Sequence, residues 1–582
     1  MKLSDYVISS IGKAGVKIVF EVCGGAITHL LDSLYKQNKV KTVSMHHEQA
    51  AAFAAEGYSR ISESMGCAMA TSGPGATNLI TGIGSSYFDS IPCLFITGQV
   101  NTYEYKFNSK IRQIGFQETD IVKIVKPIVK DAILVKDSDK IKFILERSFH
   151  ISKSGRPGPV LLDIPMNVQR QDVNTRNLKS FISPPQKVKK IKSDKIIKVV
   201  KLLNSSLRPI IFVGGGMRSS EAQKELLKLT GKVSIPVAAS LLGLDVFPHE
   251  NPLFVGMVGT YGNRYANLAI ANSDLILALG VRFDTRQTGT RPESFAKNAK
   301  IIHVDIDPLE LNNKVKAEIT INSDVKEFLN ELNHGIKRYD KSKIENWRKK
   351  IKEYKSRFPS WKQNVTLAID PNYFMQKLSM FVPGNAVVCV DIGQHQMWAA
   401  QSFTIKKGQK FITQGGMGAM GSALPMGIGA SFASPGCPIV VIAGDGGFQL
   451  NIQELETIYH HQLPIKIILL NNSCYGMVRQ FQTQYFESIY QSTDIGYSSP
   501  NFVDIVKAYK ISAEKISFTN ELEKCIKRLF SDLKPMFLEV KIEKKFKVEP
   551  KLSVNKPIED QDPPLQRKEL YKLMIANKIE SC

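Results

Sequence analysis

At 582 residues the chain is too long for one hydrophobic core, and roughly three or four domains are expected. Its 43% hydrophobic and 23% charged residues describe a globular protein; no run reaches the ~18–20 apolar residues that cross a bilayer, and the opening Met-Lys-Leu-Ser-Asp-Tyr is no signal peptide, so a cytosolic protein is expected. The formal charge of +23 raises nucleic acid as a partner, but it gathers in 187–201 and 337–362, is mostly lysine and comes without interleaved aromatics, which reads as a lysine-rich surface.

Residues 1–175 alternate short apolar runs with amphipathic helical ones, the pattern of a parallel α/β domain whose strands are buried on both faces. Gly24-Gly25 reads as a strand–helix turn. A strand at 42–45 runs into His47-Glu48-Gln49-Ala50-Ala51, where Glu48 opens an alanine-rich helix and could be no more than a cap. Strands are expected at 67–71 and 93–97, and Pro184, Pro185 and the lysines after them read as a linker.

Residues 190–335 repeat the pattern with strands at 209–213, 275–279 and 301–304. Gly214-Gly215-Gly216 after the first offers backbone N–H groups to a phosphate, a weak signal by itself. A basic helical stretch with Trp347 and Trp361 leads out. The third segment, 368–545, has strands at 386–390, 439–443 and 465–470, and a polar tail, 546–582, is expected to lie over the surface. The eight cysteines form no CxxC pair, so neither a disulfide framework nor zinc is implied.

The most informative spacing lies in the third segment. Gly444-Asp445-Gly446 follows one apolar run, and after 24 intervening residues Asn471-Asn472 follows the next. In a strand–helix–strand unit both ends fall at the carboxyl edge of adjacent strands, where such sheets bind ligands. A small hard cation takes oxygen ligands: Asp445 offers a carboxylate, Asn472 an amide oxygen and the chain at Cys474 a carbonyl, with glycines that let a diphosphate approach. Alone, a Gly-Asp-Gly tripeptide is usually a turn. The spacing makes it an Mg²⁺–diphosphate site, and it resembles the motif of thiamine-dependent 2-oxo acid enzymes.

With the further motifs Thr71-Ser72-Gly73-Pro74-Gly75-Ala76-Thr77-Asn78, Ile96-Thr97-Gly98-Gln99, Phe116-Gln117-Glu118-Thr119, Gly393-Gln394-His395-Gln396-Met397-Trp398 and Gly415-Gly416-Met417-Gly418-Ala419-Met420-Gly421, nearly the whole chain resembles the acetohydroxyacid (acetolactate) synthase catalytic subunits. That resemblance implies three α/β domains: pyrimidine-binding, central Rossmann-like and diphosphate-binding. It makes Glu48 the acid that favours the imino form of the aminopyrimidine. Gly24, Gly25 and Gln117 would face the reacting carbonyls. Pro74, Asn78, Gln394, His395, Gly418, Gly444, Gly446, Gly447, Asn471 and Met477 would hold the cofactor, with Met420 bending it, though methionine is more often core filler.

In the middle segment, Arg156, Gly215, Gly216, Gly259, Arg282, Asp284, Arg286, Asp305, Ile306 and Asp324 stand in stretches that resemble the family's FAD site, a structural passenger there. The same arginines could instead form surface ion pairs. Arg282 also suits the carboxylate of a second oxo acid. The implied reaction joins two pyruvates to 2-acetolactate with loss of CO₂, in a homodimer or homotetramer with a possible small regulatory subunit.

Three departures bear on the acceptor: Phe481 where the family has tryptophan, Tyr261 where it has histidine, and a tail, 557–574, that resembles relatives in surface-polysaccharide pathways. Two-carbon transfer from pyruvate to a keto-sugar nucleotide is therefore the alternative. A pyruvate oxidase-like flavoenzyme and a basic binding protein with a vestigial site are the remaining ones.

Overall fold

The computed structural model describes residues 1–62, 64–184, 191–363 and 366–575; the expected linker residues 185–190 lie outside the described residues. The remainder of that lysine run is helical rather than linker: Ser193–Ser205 buries Ile196, Val199 and Leu203, while Lys198 and Lys201 face solvent and Lys195 reaches the Thr320 carbonyl. Three parallel six-stranded sheets follow one another along the chain.

The first sheet contains β1 (Ile18–Glu21), β2 (Lys41–Ser44), β3 (Gly66–Ala70), β4 (Cys93–Gln99), β5 (Asp131–Leu134) and β6 (Val160–Pro165), in the order β2-β1-β3-β4-β6-β5. The second contains β7 (Pro209–Val213), β8 (Val237–Ala239), β9 (Phe254–Met257), β10 (Leu275–Leu279), β11 (Lys300–Asp305) and β12 (Ile319–Asn322), in the order β12-β11-β10-β7-β8-β9. The third contains β13 (Val387–Val390), β14 (Lys410–Ile412), β15 (Ile439–Gly444), β16 (Ile465–Asn471), β17 (Ser512–Ile516) and β18 (Met536–Lys541), in the order β14-β13-β15-β16-β18-β17. The first and third sheets therefore share one topology, and the second has the dinucleotide-binding order. Central strands such as β4, β7 and β15 are buried along their whole length, which is why they read as unbroken apolar runs.

Each sheet has a switch point where consecutive connections leave in opposite directions and open a crevice at the strand ends: between β1 and β3, between β7 and β10, and between β13 and β15. Two helices, Glu48–Ile61 and Ala423–Ala433, lock the first sheet's domain to the third's at backbone contact. A Cβ on Gly57 would stand 2.2 Å from the Met426 carbonyl oxygen, and one on Gly429 would stand 1.9 Å from that of Ala54. One apolar cluster accordingly runs from Phe20, Phe53 and Phe95 to Met426, Phe448 and Phe537.

The tail differs from the expected surface strap. Leu552, Ile558, Leu570 and Leu573 are buried in the core of the second domain, and Val548 in the core it shares with the third. Apolar residues spaced too irregularly to show a period account for the misreading. Among the described residues no helix is long and apolar enough to cross a membrane.

Candidate active site

At the first switch point, the chain beyond β1 runs into Gly24 and Gly25, and the chain beyond β3 runs into Thr71, which leads to the short helix Pro74–Asn78. Thr71 Oγ1 accepts from the Ala26 N–H at 3.2 Å, and a Cβ on Gly24 would collide with the Thr71 side chain at 2.5 Å, so a glycine is required there. Glu48 is the first residue of its helix, but the cap is His47, whose Nδ1 accepts from the Gln49 N–H. Glu48 instead accepts from the Asn78 amide at 2.9 Å through Oε2, while Oε1 lies over Gly75. Gln117 reaches the same place with φ 63°, its Cβ 2.9 Å from where a Cβ of Gly73 would stand. Gly24, Glu48, Pro74, Asn78 and Gln117 thus gather at one crevice, with Glu48 and Gln117 only half-buried.

At the third switch point a small cavity of about 80 Å³ is lined by Gln394, His395, Met420, Gly444, Asp445, Gly446, Gly447, Asn472, Cys474 and Met477, and by no residue of the first domain. The Asn472 amide nitrogen donates to Gln394 Oε1 at 2.9 Å. The same amide group stands 2.9 Å from the Cys474 carbonyl and 3.3 Å from Asp445 Oδ1, and its nitrogen donates to both when the amide is flipped. A carboxylate, a backbone carbonyl and an amide able to present its oxygen converge on one buried point, and that donor set fits Mg²⁺.

Tyr497 OH donates to the other Asp445 oxygen at 2.6 Å, and burial pushes the Asp445 carboxyl up to about 6. His395 is held neutral by burial, which lowers it to about 3, and its buried Nε2 has no hydrogen-bond partner among the described residues, as expected of a group awaiting a ligand. A Cβ on Gly444 would strike the His395 ring, and one on Gly447 would strike Asp391 Oδ2. Asn471 stands apart from the others: its amide donates to Glu539 and accepts from Ser473, and it does not line the cavity.

Two larger cavities, about 590 and 490 Å³, meet at Arg282 and Leu242 over the second switch point. The first holds Arg156, Gly215, Gly216, Asp305, Ile306 and Asp324; the second holds Gly259, Tyr261, Asp284, Arg286 and also Gly418, which therefore sits with the flavin set. Their combined length and glycine lining suit a dinucleotide. The buried Gln414 Nε2 on the second cavity's wall has no partner among the described residues, a donor left for a bound group. Arg156 does form ion pairs, with Asp307 and Glu310, and Arg282 pairs with Asp284, so these arginines are held in place rather than free. Asp324 caps the helix Val325–Gly335, and burial pushes Asp305 up to about 6.

Some functional groups escaped the sequence reading. Asp391 is a buried carboxylate that accepts from the N–H groups of Gly421, Ser422 and Ala423, fixing the loop that carries Met420. An acid directly after an apolar strand and two residues before Gly393-Gln394 was the available signal. Tyr497 and Gln414 carried none.

A crevice whose donors suit Mg²⁺ and a diphosphate, a carboxylate beside a glycine turn on a second crevice of the same topology, and a dinucleotide-type sheet between them define a thiamine diphosphate enzyme. The family models for the N-terminal thiamine pyrophosphate binding domain, the central domain and the C-terminal thiamine pyrophosphate binding domain match residues 1–124, 196–332 and 391–540. An acetolactate synthase large subunit of Cyanidium caldarium is 38% identical over 544 residues, covering 91% of this chain and 92% of the relative. The acetolactate synthases 1 of Zea mays and Nicotiana tabacum, both chloroplastic, are each 37% identical over 93% of this chain and over 85% and 81% of themselves. The chain belongs to the acetolactate synthase family, as a thiamine-diphosphate-dependent carboligase.

Proposed function

We propose that this chain condenses two pyruvates to 2-acetolactate and CO₂, with Mg²⁺ held by Asp445, Asn472 and the Cys474 carbonyl, and FAD in the paired cavities. When bound, thiamine diphosphate supplies a carbon nucleophile and an electron sink for the loss of CO₂. The chain's residues do the rest. Glu48 holds a proton at the cofactor's ring nitrogen, and Asn78 fixes one of its oxygens. Gln117 and the Gly24-Gly25 turn bind and orient the oxo acid, and Met420 and Met477 exclude water beside the diphosphate.

The observation that carries this reading is the convergence of the Asp445 carboxylate, the Asn472 amide and the Cys474 carbonyl at one buried point, which supports a Mg²⁺–diphosphate site in a chain of this family. A cavity of about 80 Å³ cannot enclose the whole cofactor, and Glu48 lies outside it, so a second copy of the chain supplies the pyrimidine side. The exposed Ile111, Ile114 and Phe116 beside Gln117 support that, because an apolar patch next to a half-formed site suits an interface. The name of one relative as a large subunit also supports a small regulatory partner.

A second reading, transfer to a nucleotide-activated keto sugar, is favoured by an open aromatic shelf: Phe481, Tyr485 and Phe486 are 43%, 40% and 55% exposed, with the Lys551 ammonium over the first two rings. The test is incubation of the purified chain with thiamine diphosphate, Mg²⁺, FAD and pyruvate alone, following CO₂ and identifying products by NMR. Stoichiometric acetolactate supports the first reading. Turnover only when a keto-sugar nucleotide is added replaces it with the second.

A further inference from the structure

Two consecutive residues, Phe88 and Asp89, tie the first domain to both others, and Ser90 beside them braces Arg156, a first-domain arginine that pairs across to Asp307 and Glu310. The Phe88 carbonyl accepts from Arg282 Nη1 at 2.9 Å, Asp89 accepts from the Gly415 N–H at 3.0 Å and the Gly416 N–H at 2.8 Å, and Ser90 Oγ accepts from Arg156 Nε at 2.8 Å. Two of these bonds go to the arginines of the flavin cavities, and the middle pair goes to the glycines that open the loop leading to Met420. Asp89 is 9% exposed and also accepts from the buried Arg60 at 2.6 Å, so its carboxylate is fixed before it meets the loop.

The far end of that loop is fixed by Asp391, as described above. The loop 415–421 has four glycines in seven residues, which makes its ordering costly unless both ends are held. Charge-assisted bonds from backbone N–H groups to a buried carboxylate are the strong class of hydrogen bond, and Asp89 makes them to two successive residues. Phe88, Gln414 and Gly415 all line the second flavin cavity, whereas Met420 lines the diphosphate cavity. An occupant of the one therefore rests on the same loop whose other end shapes the other.

We infer that Asp89 is the positioning residue for residues 415–420, and that through it occupancy of the flavin cavity and occupancy of the diphosphate cavity favour each other. Ordering the loop for one ligand removes that cost for the next, and linkage makes the effect reciprocal. The coupling half of this inference rests on the flavin reading proposed above. It gives the flavin a use that involves no electron transfer.

The experiment is calorimetric titration of thiamine diphosphate with Mg²⁺ into the full-length parent and Asp89→Asn, each with and without FAD, after FAD binding is followed by its own fluorescence. FAD should tighten thiamine diphosphate binding to the parent by roughly 5–150-fold, the usual range of such coupling. In Asp89→Asn the affinity without FAD should fall by roughly tenfold or more, the size expected for a supporting-residue change, and the FAD effect should vanish. Equal affinity and equal coupling in the two proteins overturn the inference. Failure of FAD to bind the parent removes the flavin reading and the coupling with it, and the positioning role then stands or falls on the affinity measured without FAD. Should Asp89→Asn not fold, hydrogen exchange on the parent decides: FAD should slow exchange of the Gly415 and Gly416 amides, and unchanged rates overturn the inference.

Discussion

Replacing Glu48 by glutamine keeps the side chain's size and its place at the head of the helix Glu48–Ile61 while removing its charge. One oxygen already receives the Asn78 amide at 2.9 Å, and the other lies over Gly75, 3.2 Å from where a Cβ there would stand. A glutamine retains the first bond with its single oxygen, so its NH₂ occupies the second position and presents donors where the carboxylate presented an acceptor. The fold and the Asn78 contact survive; the proton-holding group does not. Losing such a group slows a reaction by roughly 10²–10⁴, or about 3–5 kcal/mol of barrier. The assay is CO₂ release from pyruvate at saturating cofactor, beside thermal melting and a cofactor titration. A drop in turnover with unchanged melting and near-parental cofactor affinity is expected. Turnover within tenfold of the parent would refute the assignment of Glu48.

Asp445→Asn removes the one carboxylate of the group it forms with Asn472 and the Cys474 carbonyl; Mg²⁺ binding in the presence of thiamine diphosphate should weaken by more than roughly tenfold in calorimetry, and an unchanged isotherm would remove Asp445 from the metal site. Gly429→Val places a side chain against the Ala54 carbonyl, so the parent should melt higher and the variant should lose about 1–3 kcal/mol in denaturant titration; equal midpoints would contradict the backbone contact. Asp163 is fully buried between Thr97 and Gln99, and burial pushes its carboxyl up to about 7, far above the ~3.9 of an unfolded chain. The folded state then binds more protons between those values, so the stabilising contribution of this group, of order 4 kcal/mol, is complete below about pH 4 and is lost as the pH rises through about 7. Urea titrations from pH 5 to 8 should show that slope, and Asp163→Asn should flatten it; parallel slopes would exclude Asp163 as its source.

What could be read in advance was whatever the chain states locally. The runs at 209–213 and 275–279 became β7 and β10 with the expected bounds, because strands buried on both faces must be continuously apolar. Asp445 and Asn472 were legible because one strand–helix–strand unit brings both to neighbouring strand ends. Strand order was not legible: nothing local distinguishes the second sheet, whose first strand lies at its centre, from the other two. Nor was the Phe88-Asp89-Ser90 junction, whose partners are 29 to 327 positions away and contribute only backbone groups or already paired arginines. Glu48 shows the intermediate case: its helix-start position was plain, while the replacement of a capping role by the Asn78 contact depended on β3 lying beside β1.

The topology also bears on how many chains make one site. The first and third sheets place their crevices alike, and the helices Glu48–Ile61 and Ala423–Ala433 meet at backbone distance, so neither domain can turn toward the other without breaking that contact. On our proposal the Glu48 crevice therefore completes the Asp445 crevice of a second copy. That predicts complementation. Glu48→Gln and Asp445→Asn homo-oligomers should each be nearly inactive, but a mixed dimer holds one doubly damaged site and one intact site. Random pairing after refolding or co-expression should restore about a quarter of parental activity, since half the dimers are mixed and half of their sites are whole. If both crevices of a site came from one chain, every site in the mixture would carry a defect, and CO₂ release would stay at the level of the separate variants.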